Sequence, residues 1–174
     1  MIGRLATVPA LDRPDLLADP VADAIRSLGL AEVQVGEIDP DAADTAEFCE
    51  RYAVGLDVSA NCVVVAGRRG GETTLAAVMV LATHRADVNG VVRRRLDARR
   101  ASFAAMEAAV AETGMEYGGI TPVGLPAGWP ILVDEHVDAT DAVVIGSGLR
   151  RSKLVVPGSL LARLPGAEII AVGV

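Results

Sequence analysis

The chain has 174 residues, and its 51% hydrophobic composition is enough for the core of one domain. Only 3% of the residues are aromatic, so the core must consist of Ala, Val, Leu and Ile, and base stacking on aromatic side chains is not expected. The formal net charge of −7 argues against binding of nucleic acid through the overall field, since phosphates are bound by clustered Lys and Arg. No stretch approaches the ~20 apolar residues that cross a bilayer, and the N-terminal residues contain no apolar signal sequence, which predicts a cytoplasmic protein without a membrane partner.

Hydrophobic periodicity in the N-terminal third predicts two helices and a strand. Apolar residues from Leu16 to Leu28 recur at helical spacing, and Gly29 follows them as a stop. Residues 33–38 alternate between apolar and polar, as in a strand, and an acidic segment then precedes a second helix at about residues 45–52. This part of the chain therefore predicts a βα unit.

Two apolar runs in the middle of the chain predict a central β-hairpin. Residues 62–66 are apolar and rich in valine, and residues 73–81 are equally strand-like. The glycine-rich segment between them, residues 67–71, resembles a phosphate-binding loop only superficially, because no GK[ST] motif follows and the next element is a strand. We interpret it as a plain hairpin turn.

A basic helix, a second helix and a long loop are expected after the hairpin. Asp87 is placed to cap a helix that runs through Leu96. The polar face of this helix and the residues just after it carry the densest basic patch of the chain: Arg93, Arg94, Arg95, Arg99 and Arg100. A further helix is expected at residues 103–112, and it ends near Gly114. Residues 115–130 are rich in Gly and Pro and form a loop that is too long to be a mere turn.

The C-terminal third predicts short strands and one helix. The strands are expected at residues 131–133, 143–145, 154–156 and 169–172, and the helix, which begins with Pro157, at residues 157–164. Helices mixed with strands, and hairpins among the strands, predict an α/β or α+β domain on a mixed sheet. No repeat or linker interrupts the chain, so residues 1–174 are expected to form a single domain.

Four segments in the second half carry a resemblance to a known family. They are YGGITPVGLP at residues 117–126, PILVDE at residues 130–135, VIGSG at residues 144–148 and SKL at residues 152–154. Their order is similar to that in the YbaK-type aminoacyl-tRNA editing domains, also called prolyl-tRNA synthetase-associated domains, in which a GxxxP loop precedes a strand and a glycine-containing strand end. The agreement extends from about residue 45 to residue 172, whereas residues 1–44 are less diagnostic.

The resemblance implies a YbaK-like fold, in which helices surround a mixed β-sheet or partial barrel, and hydrolysis of the ester that joins a wrong amino acid to tRNA. It implies neither a cofactor nor a metal. The expected partners are the aminoacylated acceptor end of tRNA and a synthetase that presents it. Because an aminoacyl ester is already activated, such a site mainly has to stabilise the tetrahedral oxyanion and position a water or ribose hydroxyl as the nucleophile.

The resemblance also implies which residues form the site. The expected catalytic positions are Asn61, Gly118, Gly119 and Thr121, and the expected substrate contacts are Ile120, Pro122, Gly146, Ser147, Gly148 and His84. The basic helix has two interpretations, since Arg93, Arg94 and Arg95 either contact the acceptor stem or form a solvated face paired with acidic residues. The loop has a second interpretation too, as a surface turn whose glycines only satisfy backbone geometry.

The chain departs from the family pattern at one position. Family members typically have a lysine near the start of the central strand, and alignment of residues 59–65 places Asn61 there, or Cys62 after a shift of one residue. An Asn amide donates a hydrogen bond but carries no positive charge. Three hypotheses stay open: Asn61 acts in a modified site, an arginine or Lys153 supplies the charge, or the domain binds without catalysis. Taken alone, Lys153 is expected to be a solvated surface lysine.

The remaining reactive residues give weaker indications. His84 is a candidate general base, whereas His136 is expected at the surface near a helix start. Cys49 and Cys62 lack metal-ligand spacing and are expected to be buried free thiols, and no Ser or Cys lies in a nucleophile motif. Besides an editing enzyme, the sequence allows a non-catalytic module that binds tRNA or a small ligand, and a domain that regulates a synthetase through its acidic surface.

Overall fold

The computed structural model describes residues 2–174, which form two β-sheets and several short helices. The strands are β1 (Val8–Pro9), β2 (Gln34–Glu37), β3 (Ala60–Arg69), β4 (Glu72–Leu81), β5 (Arg100–Phe103), β6 (Ile131–Asp134), β7 (Val143–Gly146), β8 (Ser152–Val156) and β9 (Ala167–Ile170). The α-helices are α1 (Asp19–Leu28), α2 (Thr45–Tyr52), α3 (Arg93–Arg95), α4 (Met106–Thr113) and α5 (Glu135–Asp138). A π-helical turn, Val88–Val92, leads directly into α3. Within these described residues, no helix has the length and apolar character needed to cross a membrane.

The strands are divided between a four-stranded and a five-stranded sheet. The four-stranded sheet has the order β1-β2-β8-β7 and is antiparallel, whereas the five-stranded sheet has the order β5-β3-β4-β6-β9. In the latter, β3 and β4 form a hairpin, and β4–β6 and β6–β9 are parallel pairs. The sheets meet where Ser59 bridges to Val144. The predicted mixed α/β fold class is confirmed. Strand β8 pairs with β2 at one edge and with β7 at the other, so it has no free edge with which to join the five-stranded sheet.

The main core lies between α1 and the inner faces of both sheets. Helix α1 buries Val21, Ala22 and Ile25 on one face, as its periodicity predicts, and Gly29 ends it with a φ of 63°. Full burial of a side chain such as Ile25 contributes roughly 1.5–3 kcal/mol to stability. Strand residues of both sheets belong to the same core as this face, including Val35, Met79, Val133, Ile145 and Leu154.

Strand β4 is apolar on both faces because both faces are covered. Met79 faces the main core, whereas Val78 and Val80 face a second core beneath the π-helical turn, where Val92 is fully buried. A strand that is covered on both sides has a continuous apolar sequence instead of an alternating one. This explains the apolar run from which the sequence predicts the hairpin.

The elements depart from the sequence patterns at three places. The hairpin turn lies at Gly70 and Gly71, whose φ angles of 58° and 84° suit a two-residue turn, so Gly67 belongs to β3 and not to the turn. Phe103, where the sequence predicts a helix start, is the last residue of strand β5, and α4 begins only at Met106. No sequence pattern predicts β5, because it depends on hydrogen bonds to the edge of β3. The C-terminal helix is a 3₁₀-helix that starts after Pro157.

Candidate active site

A cavity of about 230 Å³ opens at the junction of the two sheets. Strand β5 pairs only with residues 65–68 of β3, so the first residues of β3 have a free edge there. Five parts of the chain line the cavity: residues 43–45 at the start of α2, residues 59–62, residues 117, 118 and 120 of the long loop, residues 144–146, and Lys153. The junction therefore brings together segments that are far apart in the sequence.

Lys153 projects from β8 into this cavity, although only 8% of the residue is exposed. Its ammonium group donates a hydrogen bond to the carbonyl oxygen of Ala43 at 2.9 Å and lies 5.3 Å from the ring centroid of Phe48. An ammonium group has three N–H donors, and in the described part of the chain only this one acceptor is bound to it. Lys153 can therefore bind a further oxygen atom in the cavity.

Burial also changes the titration of Lys153. Desolvation lowers its pKa from 10.5 to about 8, the nearby Cys49 and Asp44 act in the opposite direction, and Arg150 adds to the lowering. At neutral pH the side chain is thus mainly charged, and it holds this charge in a poorly solvated place. A cation in such surroundings interacts more strongly with a developing negative charge than a cation in water does.

The expectation that Lys153 is solvated is wrong, and the reason lies in the packing of its sheet. Its lateral neighbours are glycines, Gly36 on β2 and Gly146 on β7, which present no side chains beside it. Helix α2 covers this face of the sheet with Phe48. The local sequence RRSKL is typical of an exposed turn, because the elements that enclose the lysine come from distant parts of the chain.

Asn61 lines the same cavity and is held by the start of α2. Its side-chain oxygen accepts a hydrogen bond from the hydroxyl of Thr45 at 2.6 Å. With the oxygen engaged, the two amide N–H groups are the donors that remain for a substrate. Cys62 lies beside it, and burial raises the pKa of its thiol to about 12, so this cysteine is a neutral wall of the cavity and not a nucleophile.

The free edge of β3 adds a backbone donor to the cavity. The carbonyl oxygens of Val64 and Arg68 accept hydrogen bonds from the N–H groups of Ala104 and Arg99, both at 2.9 Å, on the side of β5. In a strand, the peptide groups of every second residue point to the same edge. The N–H and C=O groups of Cys62 therefore point to this edge as well, where β5 has ended and the cavity begins.

The long loop forms the opposite wall through direct backbone packing. The N–H of Gly148 donates to the carbonyl oxygen of Gly119 at 2.6 Å, and a Cβ atom on Gly146 would lie 2.5 Å from that oxygen. Gly118 has a φ of 85°, a conformation that favours glycine. These glycines are thus needed for the close approach of two backbone segments, and through Gly118 and Ile120 the loop lines the cavity.

The comparison with protein families matches this arrangement. A family model described as the aminoacyl-tRNA editing domain matches residues 39–164, a range that includes Asn61, the glycine-rich loop and Lys153. The chain belongs to this family.

Solved structures of editing-domain folds agree with the architecture. A candidate trans-editing enzyme for prolyl-tRNA synthetase has a TM-score of 0.77 at 22% identity, and the match covers 90% of this chain and 96% of that one. A hypothetical protein has a TM-score of 0.79 at 20% identity over 90% of this chain and 100% of the other. At such identities the similarity shows the fold alone. No curated protein sequence matches the chain significantly.

Within this editing domain, the predicted site residues fall into two groups. Four of them line the cavity: Asn61, Gly118, Ile120 and Gly146. The others lie behind the wall or elsewhere: Gly119, Thr121, Pro122, Ser147, Gly148 and His84. Thr121 is fully buried and its hydroxyl has no hydrogen-bond partner in the described part of the chain, while the Ser147 hydroxyl is bonded to that of Ser152 at 2.6 Å. Pro122 lies in a different depression, beside Trp129.

His84 lines a second depression that meets the cavity at Asn61. The depression also contains Arg85, Asn89 and Phe103, whose residue surface is 66% exposed. The basic helix lies at its rim, since the guanidinium of Arg93 donates to the carbonyl oxygen of Asn89 at 2.9 Å. Arg95 of the same helix forms an ion pair with Glu168, so at least this arginine of the basic patch belongs to a paired face.

The two histidines are stacked on each other, which no sequence pattern predicts. Their ring centroids are 4.8 Å apart, and Nδ1 of His136 lies 2.8 Å from the carboxylate of Asp134. Burial would raise the pKa of Asp134, but hydrogen bonds from Gly173, His136 and Val172 outweigh it and lower the pKa. In residues 2–174, no three His, Cys, Asp or Glu side chains lie together as metal ligands would.

Sequence reasoning missed the three cavity residues at the start of α2, Ala43, Asp44 and Thr45. They line the cavity, although their sequence indicates only a helix start. The local pattern that marks this helix start was visible, but the packing of the helix against β3 and β8 was not. The hydrogen bond between Thr45 and Asn61 spans 16 positions of the chain and depends on that packing.

Proposed function

We propose that this editing domain hydrolyses the ester bond of mischarged aminoacyl-tRNA and that Lys153 supplies the positive charge that Asn61 lacks. The observation that supports this most directly is the buried ammonium group of Lys153 in the cavity, which has one hydrogen-bond acceptor among residues 2–174. Family members typically place a lysine at the position of Asn61. Here the charge would come from a different strand and reach the same small space, which both side chains line.

The chemistry assigns a role to each group. Water adds to the ester carbonyl carbon and gives up one proton to the surrounding solvent, and the carbonyl oxygen becomes an oxyanion that the Lys153 ammonium, the Asn61 amide and the Cys62 N–H can stabilise. The tetrahedral intermediate then expels the ribose oxygen, which takes up a proton, and the products are the free amino acid and the tRNA. The cavity needs no nucleophilic side chain, because the aminoacyl ester is already activated.

The acceptor end of the tRNA would reach the cavity through the second depression. The two spaces share Asn61, and the depression carries exposed Phe103 together with His84 and Arg85. Arg93 at the rim can contact a phosphate, as the sequence suggests for the basic helix. Since the protein as a whole is acidic, such local contacts give weak affinity, and a synthetase that presents the tRNA would compensate for it.

The test is release of amino acid from a panel of mischarged tRNAs. Wild-type protein should release one class, Lys153→Met should slow this by about 10²–10³-fold, and Asn61→Ala by about tenfold. Arg26→Met, which removes the same charge from the exposed surface of α1, should have no effect. Release by Lys153→Met at the wild-type rate would refute the role of the lysine.

A second function is favoured by the missing family lysine. If wild-type protein binds charged tRNA without releasing amino acid, and only Asn61→Lys releases it, the chain is a non-catalytic binding module. If neither protein releases amino acid or binds tRNA, while the wild type co-purifies with a synthetase, the domain acts through protein contacts.

A further inference from the structure

The cavity contains one anionic side chain as well as one cationic side chain. Among the described residues that line it, Asp44 and Lys153 are the only charged ones. Asp44 is exposed and immediately precedes α2, with the extended backbone of a helix cap. The two charges therefore lie in the same small space, with the carboxylate of Asp44 at the exposed side and the ammonium of Lys153 in the buried wall.

The carboxylate of Asp44 is not used by the helix that follows it. An aspartate at this position normally accepts a hydrogen bond from an N–H group in the first helical turn, but Asp44 accepts none. Among the described residues Lys153 forms no ion pair with it either; the ammonium of Lys153 donates to the carbonyl oxygen of the preceding residue, Ala43. Asp44 is close enough to raise the pKa of Lys153, so the two charges interact electrostatically while both remain available to a ligand.

This pair of charges is complementary to an α-amino ester. The α-ammonium group of such a substrate is separated by one carbon atom from the carbonyl group, whose oxygen becomes negative during hydrolysis. If Lys153 faces that oxygen, as the proposed function requires, an anion on the other side of the cavity is needed for the ammonium group. Asp44 is the lining residue that carries this charge.

We propose that Asp44 binds the α-ammonium group of the substrate, so that the site accepts esters of amino acids with a free amine and discriminates against N-acylated ones. This inference rests on the proposed function, because it takes the orientation of the ester from Lys153. A charge-assisted hydrogen bond at a partly exposed position corresponds to about a tenfold preference. The carboxylate would position the substrate and take no part in proton transfer.

The experiment compares one aminoacyl-tRNA that the wild type hydrolyses with the same tRNA acetylated on the α-amine. Wild-type kcat/KM should be about tenfold higher for the free amine. Asp44→Asn should lose about tenfold on the free amine and remain unchanged on the acetylated substrate, so that the preference disappears. Asp41→Asn, which removes an exposed charge from the same acidic segment without touching the cavity, should keep the preference.

Two results would overturn the proposal. The first is that Asp44→Asn retains the full preference for the free amine. The second is that it lowers kcat/KM equally on both substrates, as a purely structural change would. If the wild type hydrolyses no substrate at all, the proposed function fails, and the comparison is made by calorimetric binding of 3′-aminoacylamino-adenosine with a free or an acetylated amine. Equal binding of both compounds by the wild type would then refute the role of Asp44.

Discussion

Replacement of Lys153 by methionine is expected to increase the stability of the protein at neutral pH while it slows deacylation by about 10²–10³-fold. A pKa that is lowered from 10.5 to about 8 corresponds to about 3 kcal/mol of unfavourable free energy for the charged form in the folded state. Methionine removes this cost and fills a similar volume. Loss of the hydrogen bond to Ala43 and of the contact with Phe48 offsets about 1–2 kcal/mol, which leaves a gain of about 1–2 kcal/mol.

The pH dependence provides the sharper test, because its sign is determined by the direction of the pKa shift. Between about pH 8 and pH 10.5 the unfolded chain binds the proton of Lys153 more strongly than the folded chain does, so the wild type gains stability as the pH rises. The advantage of Lys153→Met at pH 7 should therefore shrink by about 2–3 kcal/mol by pH 10 and be reversed.

The assay is urea unfolding of both proteins at pH 7 and pH 10. Lys153 is the only lysine in the chain, so no other lysine contributes to the alkaline titration. If the difference in unfolding free energy between wild type and variant is the same at both pH values, the ammonium group is not buried in the folded protein. That result would refute the conclusion that the cavity holds a buried, poorly solvated ammonium group.

Two further changes test other parts of the structure. Thr121→Val should stabilise the protein by about 1 kcal/mol in urea unfolding, because the buried hydroxyl has no hydrogen-bond partner among the described residues. Deacylation should stay unchanged. A folded variant without activity would mean that this hydroxyl contacts the substrate. Substitution of Arg93 and Arg94 by serine should raise the KM for aminoacyl-tRNA without changing kcat, and it should weaken the dependence of KM on salt between about 50 and about 200 mM. An unchanged salt dependence would assign these arginines to the solvated face alone.

Local patterns were sufficient for most of the fold. The periodicity before Gly29 predicted α1, and the apolar runs predicted the β3–β4 hairpin, because each pattern records which faces of consecutive residues are covered. The glycine-rich loop and the segments after it pointed to the family that the comparison of residues 39–164 shows. Strand β5 was not predictable in this way, since a short edge strand depends on the partner strand that supplies its hydrogen bonds.

The candidate site was predictable only in part. Of the residues predicted for the site, Asn61 and Gly118 line the cavity, but Thr121 and Ser147 from the same motifs are buried and do not line it. A motif indicates which segments approach each other, whereas the direction of each side chain depends on local backbone geometry and on what packs behind it.

The sequence by itself determined the fold class and the family, and it indicated part of the cavity lining, because periodicity and motif order are properties of neighbouring residues. Only the tertiary structure decided which charges enter the cavity. Lys153 is buried because α2 and two glycines of adjacent strands enclose it, and its hydrogen bond to Ala43 spans 110 positions of the chain. The presence of a cation and of the Asp44 carboxylate in one cavity follows from that packing, and no local pattern in either segment contains it.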